Sequence, residues 1–229
     1  MLAAPLVVGA RPCLAGDGFP VTLHHALGVV TVPRRPTRIV SLGLNDQDFL
    51  YALGIAPTAV REWWGGRPYA SWIWSEPRRL ALAAMPDVMR GPAIDPEWVL
   101  TLAPDLIVAT YADLAPAHYR RLSRIAPVIA HPADYPPWSA PWQVQLRLLD
   151  LATSGRQEAS RCIIHALDAQ AATLRHAYPQ FRGRTAALVD IRDGQFTLWG
   201  GRTAAGSVLR LLGLSLPARL EALADSAGW

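Results

Sequence analysis

The segment Trp63-Trp64-Gly65-Gly66-Arg67-Pro68-Tyr69-Ala70-Ser71-Trp72-Ile73-Trp74 gathers four of the chain's nine tryptophans, with a tyrosine and an arginine among them. Ring faces with an interleaved cation suit a ligand that is bulky, flat, partly aromatic and anionic. Gly65-Gly66 and Pro68 interrupt regular structure, and the indoles follow neither the strand nor the helix period. The segment therefore reads as a loop. Either it packs its own rings as an Ω-loop or it forms a binding wall. Trp63, Trp64, Tyr69, Trp72 and Trp74 cannot all face one cleft, so part of the set is expected to be structural.

Other chemistries find little support. The six histidines, His24, His25, His118, His131, His165 and His176, do not fall at metal-ligand spacing, so no metal site is expected. His24-His25 read as lying outside the sheet. No nucleophile elbow or phosphate loop is present, and the chain has no lysine. Asp46 and Asp48 stand two apart, which on a helix turns them different ways and disfavours an acid–base pair. The chain is read as a non-enzyme, with an α/β enzyme acting on a small metabolite as the alternative from another class. Arg78 and Arg79 read as solvated surface, and Trp98 and Trp142 as helix packing.

At 229 residues, 51% hydrophobic and 17% charged, the chain supports a filled core and is not a disordered polymer. Its 22 basic and 18 acidic residues give a net charge of +4, and the arginines are scattered. That argues against nucleic acid as a partner. Leu2 to Ala10 reads as the tail of a signal-peptide core, with Cys13-Leu14-Ala15 before a cleavage point. The alternative, lipidation of Cys13, is disfavoured by Arg11-Pro12. Cys162 lies in a helical stretch and reads as a small buried apolar residue, with no disulfide expected.

The elements that must position the loop alternate between strand and helix. Val29 to Pro33 reads as an edge strand, Arg38 to Leu42 as a buried strand, and Asn45 as the cap of a helix through Leu53. Thr58 to Val60 is a strand feeding the tryptophan loop. Asp95 caps a helix with Pro96 in its first turn, and Asp105 to Ala109 is a strand buried on both faces. A helix near Ala115 to Ile125 and a strand Pro127 to Ala130 follow. This is the pattern of a parallel α/β sheet. A Pro-rich loop, Pro132 to Pro137, leads to helices over 141–152 and 156–178, the second about 35 Å long at 1.5 Å per residue. A hairpin, Thr185 to Ile191 with Gln195 to Trp199, and a helix near Ala204 to Leu212 close the pattern.

Three pieces, Pro36-Thr37-Arg38-Ile39-Val40-Ser41-Leu42, Leu50-Tyr51-Ala52-Leu53-Gly54-Ile55 and Trp98 to Val108 through Leu102-Ala103-Pro104-Asp105, stand in an order that resembles the periplasmic solute-binding proteins of ABC importers for ferric siderophores, haem and corrinoids. The Gly-Gly-x-Pro-Tyr-x-x-Trp-x-Trp run looks like the ferric-siderophore branch. The resemblance implies two Rossmann-like α/β lobes joined by one long backbone helix. The expected division is a signal-peptide remnant at 1–16, an N-terminal lobe at 28–153, an interlobe helix at 154–180 and a partial C-terminal lobe at 181–229. The second lobe is read as incomplete, as in a C-terminally truncated member.

It further implies capture of a ferric siderophore between the lobes in the periplasm and delivery to an ABC permease, by a monomer with no cofactor of its own. Iron enters only inside the siderophore, and haem- or corrinoid-binding is the alternative within the class. Ligands of open α/β sheets sit beyond the carboxyl ends of the strands. The residues expected there are Asn45, Trp63, Trp64, Arg67, Tyr69, Trp72, Trp74, Arg90, Tyr111 and Trp138, with Trp199 closing from the second lobe. Asp48 occupies the place of the family's acidic permease-docking residue.

Overall fold

The computed structural model describes residues 18–91, 93–192, 194–201 and 203–226. The expected leader, with Cys13, lies outside the described residues. A hairpin of β1 (Val21–His25) and β2 (Gly28–Val32) opens the fold. His24 and His25 stand in a strand of this small hairpin sheet and, as read from the sequence, outside the parallel sheet.

Five parallel strands follow: β3 (Ile39–Ser41), β4 (Ala59–Arg61), β5 (Asp87–Met89), β6 (Leu106–Ala109) and β7 (Val128–Ala130), in the spatial order β5-β4-β3-β6-β7. Their connections are α1 (Asp46–Ala52), α2 (Glu76–Ala81), α3 (Pro96–Thr101) and α4 (Pro116–Leu122). The parallel α/β sheet expected from the alternation is present. β5 and α2 were not anticipated, because each is very short and carries few apolar residues.

The strands alternate between two cores. Val40, Ile107, Ala109 and Val128 pack with Val99 and Leu122 on one face. Ile39, Leu106, Val108 and Ile129 pack on the other with Leu50, Leu149 and the hairpin residues Leu23 and Val32. Period-two burial on both faces explains the near-continuous apolar runs of β6 and β7.

Two motifs of the chain interlock at the amino-terminal edge. The Asp105 carboxylate accepts the backbone N–H groups of Thr37 (2.9 Å) and Arg38 (2.8 Å) and the Thr37 hydroxyl (3.0 Å). Arg38 in turn donates to the carbonyls of Leu102 and Ala103. Ala103 holds a left-handed φ of 45°, which turns the chain sharply from α3 toward β6. Leu-Ala-Pro-Asp thus fixes where β3 and β6 begin, and their register (Ile39 beside Leu106) follows.

α5 (Trp142–Ser154) covers the second core and ends at Gly155, whose φ is 74°. α6 (Glu158–Ala177) starts where the Asp150 carboxylate accepts the N–H of Ser160 at 2.7 Å. Its 20 residues bury only Ser160, Ile164 and Ala171. Cys162 is exposed, which corrects the expectation that it is a buried apolar residue. Beyond α6, the antiparallel pair β8 (Leu188–Arg192) and β9 (Gln195–Trp199) stands with α7 (Ala204–Leu211) and α8 (Ala218–Ser226). This hairpin matches the sequence reading. Among the described residues no helix is long and apolar enough to cross a membrane.

Candidate functional site: an aromatic wall at the carboxyl edge of the sheet

The carboxyl ends of β3, β4, β6 and β7 lead into Gly43 to Asn45, Glu62 to Trp74, Thr110 to Asp113 and His131 to Trp138. Three of these loops meet through rings. Tyr111 stands edge-on to Trp138 at 4.7 Å and to Trp63 at 6.3 Å between centroids. Trp63 is 43% exposed, while Tyr111 and Trp138 are half-buried. Trp138 sits at a φ of 69°, a left-handed conformation that costs a non-glycine residue about 1–3 kcal/mol and is kept where surroundings dictate it. The result is an aromatic arc from three separate strand ends.

The rest of the tryptophan loop forms a second cluster beside it. Trp72 lies flat against Trp74 (5.1 Å, 2° between planes) and touches Trp64 at 4.5 Å. The Arg67 guanidinium covers the Trp72 ring at 4.6 Å. Trp72 is only 8% exposed, so its expected place in a ligand wall is corrected: it is the floor on which its neighbours stack. Trp64 and Trp74 remain 47% and 62% exposed. Tyr69, at a φ of 54°, is capped by the Arg79 guanidinium at 4.4 Å.

Arg79 is not the solvated residue expected. It is 5% exposed, bonds both oxygens of Glu76 (2.7 and 2.8 Å) and donates to the Ala84 carbonyl. Those charge-assisted bonds hold the Glu76 carboxyl down at about 2.

α1 anchors this edge from below. Asp46, fully buried, accepts the Thr110 N–H at 2.7 Å and the Thr110 hydroxyl at 2.6 Å. Thr110 also reaches Gln145 on α5 at 3.3 Å. Leu44 donates its N–H to the carbonyl of Tyr111 at 2.9 Å. A Cβ on Gly43 would overlap the Asp46 carboxylate, so only glycine fits there. This knot ties the β3 loop to the β6 loop and sets where Asn45 and Tyr111 stand.

Burial raises the Asp46 carboxyl to about 6 against the donors from Thr110 and Tyr111. Asp46 and Thr110 were missed as positioning residues; an acid just past a strand's carboxyl end, opening a helix, was the available signal. Asn45 does occupy the cap position of α1, but its side chain makes no capping bond and its Oδ1 is buried without a partner among the described residues.

Asp48, expected to face a permease, is half-buried and bonded to the tryptophan loop. Its Oδ2 accepts the Trp74 indole N–H at 2.8 Å, and its Oδ1 is buried. Burial pushes its carboxyl up, opposed by Trp74 and Ser75 as donors. Arg90 is exposed at the end of β5 and lies 3.5 Å from Glu62. Trp199 sits half-buried on β9, and none of the ring pairs among the described residues includes it.

A concavity of about 710 Å³ lies elsewhere, between the start of β3 and the α5–α6 junction, lined by Arg35, Pro36, Ile39, Asp150 and Arg156. It has no ring faces and opens at the amino-terminal edge, where open parallel sheets do not carry their ligands. Among the described residues no group of three or more His, Cys, Asp or Glu can hold a metal ion.

No family model matches the chain. A solved periplasmic solute-binding protein from Mycobacterium smegmatis is 35% identical, superposes with a TM-score of 0.78, and shares 88% of this chain and 70% of its own. The chain belongs to the periplasmic solute-binding proteins. Two curated relatives extend the comparison. The probable siderophore-binding lipoprotein YfiY of Bacillus subtilis is 24% identical over 86% of this chain and 57% of its own. The ferric-anguibactin-binding protein FatB of Vibrio anguillarum is 25% identical over 91% and 62%. The chain thus spans about three fifths of the length of these curated relatives. For a solute-binding protein, the carboxyl edge described above is the face to examine for cargo.

Proposed function

We propose that this solute-binding protein captures a ferric siderophore at the carboxyl edge of its five-stranded sheet and passes it to an ABC permease in the membrane. The observation that carries the reading is the arc Trp63–Tyr111–Trp138, drawn from three strand ends onto one edge. Ring faces grip the organic shell of a chelate, while the iron keeps its ligands from the siderophore itself. A dissociation constant near 1 μM needs about 8 kcal/mol. Ring contacts worth about 0.5–1.5 kcal/mol each beyond area burial, plus polar contacts from Asn45 and Arg67, supply a share of that, and a facing lobe would supply the rest. The names of YfiY and FatB support this choice of cargo.

We read the chain's working place as the periplasm or outer membrane face, and residues 154–180 as the hinge-limiting link between lobes. Delivery to the permease is part of the proposal. Contact through Asp48 would require Trp74 to swing off its carboxylate. The test is quenching of intrinsic tryptophan fluorescence by a panel of ferric siderophores. Saturable quenching by one member, lost in Trp63→Ala and Tyr111→Ala, is the expected result. A flat response across the panel from folded protein would overturn the proposal.

A further inference from the structure

The chain is basic as a whole, yet the aromatic edge is not. Arg61 at the end of β4, with Arg67 and Arg90 beyond strand ends, stands against Asp48 on α1, Glu62 and Asp113. Glu62 is the acid that pairs with Arg90. Its side chain is 13% exposed, its backbone N–H is fixed to the Met89 carbonyl at 2.9 Å, and its Oε2 lies 3.5 Å from Arg90 Nε. Its Oε1 is buried with no partner among the described residues.

Arg67 already lies over Trp72. Burial lowers both nearby imidazoles, His25 and His131, which disfavours their charged forms. A wall meant for a strongly anionic chelate would leave its guanidiniums open for bidentate bonds. Here a half-buried carboxylate occupies one of them, and a carboxylate placed at a binding face disfavours anions.

We infer that this wall selects a ferric chelate of low net charge, and that Glu62, next to Trp63 in the chain, sets that selectivity by neutralising Arg90. The inference rests on the siderophore reading above and deepens it. Three hydroxamate anions neutralise Fe(III), so a ferric trihydroxamate arrives uncharged. Three catecholate dianions leave the complex a trianion. The first meets ring faces and a balanced rim; the second meets Glu62.

Fluorescence titration of the full chain with ferrichrome, a neutral trihydroxamate, and ferric enterobactin, a tris-catecholate, separates the outcomes. Ferrichrome is expected to bind with an affinity that salt leaves unchanged as the screening length falls from about 10 Å at 0.1 M to about 3 Å at 1 M. Ferric enterobactin is expected to bind at least about tenfold more weakly, since misplaced like charge at an interface is costly. Glu62→Gln is expected to tighten the trianion on the order of fivefold and leave ferrichrome unchanged, in keeping with a partly exposed charge. Should that variant fail to fold, the salt series on the unaltered chain decides: affinity for ferric enterobactin is expected to rise as salt screens the repulsion while that for ferrichrome stays flat.

Preference of the unaltered chain for ferric enterobactin, or a ratio between the two probes that Glu62→Gln leaves unmoved, would overturn the selectivity while leaving the carrier reading in place. Failure of both probes and of every other ferric siderophore would overturn both.

Discussion

Asp46 shows how one side chain can matter to a site without touching what the site holds. Its carboxyl stands near 6 in the fold against an ordinary 3.8. The folded chain therefore keeps a proton that the unfolded chain has lost between these values, and stability falls as pH rises through that window. The gap corresponds to about 3 kcal/mol. Thr110 limits the damage by donating twice to the ionised form. Thr110→Val removes the hydroxyl donor and keeps the N–H. It is expected to cost about 1–2 kcal/mol at pH 7.5 and less at pH 5, where Asp46 holds its proton. Urea unfolding at the two pH values checks this, and an equal loss at both would show that the hydroxyl does not serve the charge. The sequence showed only an acid opening a helix just past a strand's end, not its partner. Asp46 and Thr110 are far apart in the chain, and only the pairing of β3 with β6 sets them side by side.

At the scale of elements, the turn from α3 into β6 was legible and its reason was not. Leu102-Ala103-Pro104-Asp105 stood out as a motif, but the bonds from Asp105 to Thr37 and Arg38 explain its form. Burial pulls the Asp105 carboxyl up, and the Thr37 and Arg38 donors outweigh it, so the group ends below its ordinary value. Its contribution is therefore full at neutral pH and lost as pH falls through the depressed value. Asp105→Ala is expected to cost about 1–2 kcal/mol at pH 7, modest because water reaches the freed N–H groups. The difference from the unaltered chain should narrow toward pH 3. Urea midpoints that differ equally at both pH values would contradict the sign. The tryptophan loop was likewise recognisable as a loop, while its division into an exposed arc and a buried stack was not. Trp63, between Glu62 and Trp64, and Trp72, between Ser71 and Ile73, are indoles of one loop, and what separates them is which neighbour folds over each ring.

Across the whole molecule, stability is uneven. Leu106, Ile107, Val108, Val128 and Ile129 are completely buried in the parallel sheet. Beyond α5, α6 buries three side chains along about 30 Å. In the hairpin after it, Val189, Ile191 and Phe196 are 48%, 61% and 75% exposed. Few buried apolar groups mean a low cost of local opening. Amide hydrogen exchange is expected to be slowest in β3, β6 and β7 and faster by orders of magnitude in β8 and β9. Equal protection of the two sheets would contradict this view of where the stabilising burial lies.

The chain's sequence determined the alternation of strand and helix, the long exposed helix and the presence of an aromatic loop, because these depend on local period, on glycine and proline, and on composition. It also carried the family resemblance, through motifs that are contiguous. Only the tertiary structure decided which rings face outward, that Arg79 is buried over Tyr69, that Asp48 holds Trp74, and that Glu62 sits beside Arg90. The last two, like the ring arc, depend on strand order, β5-β4-β3-β6-β7, which brings separate strand ends to one edge. A side chain's neighbours across a sheet are set by that order and by register, and neither is written in the residues nearest to it.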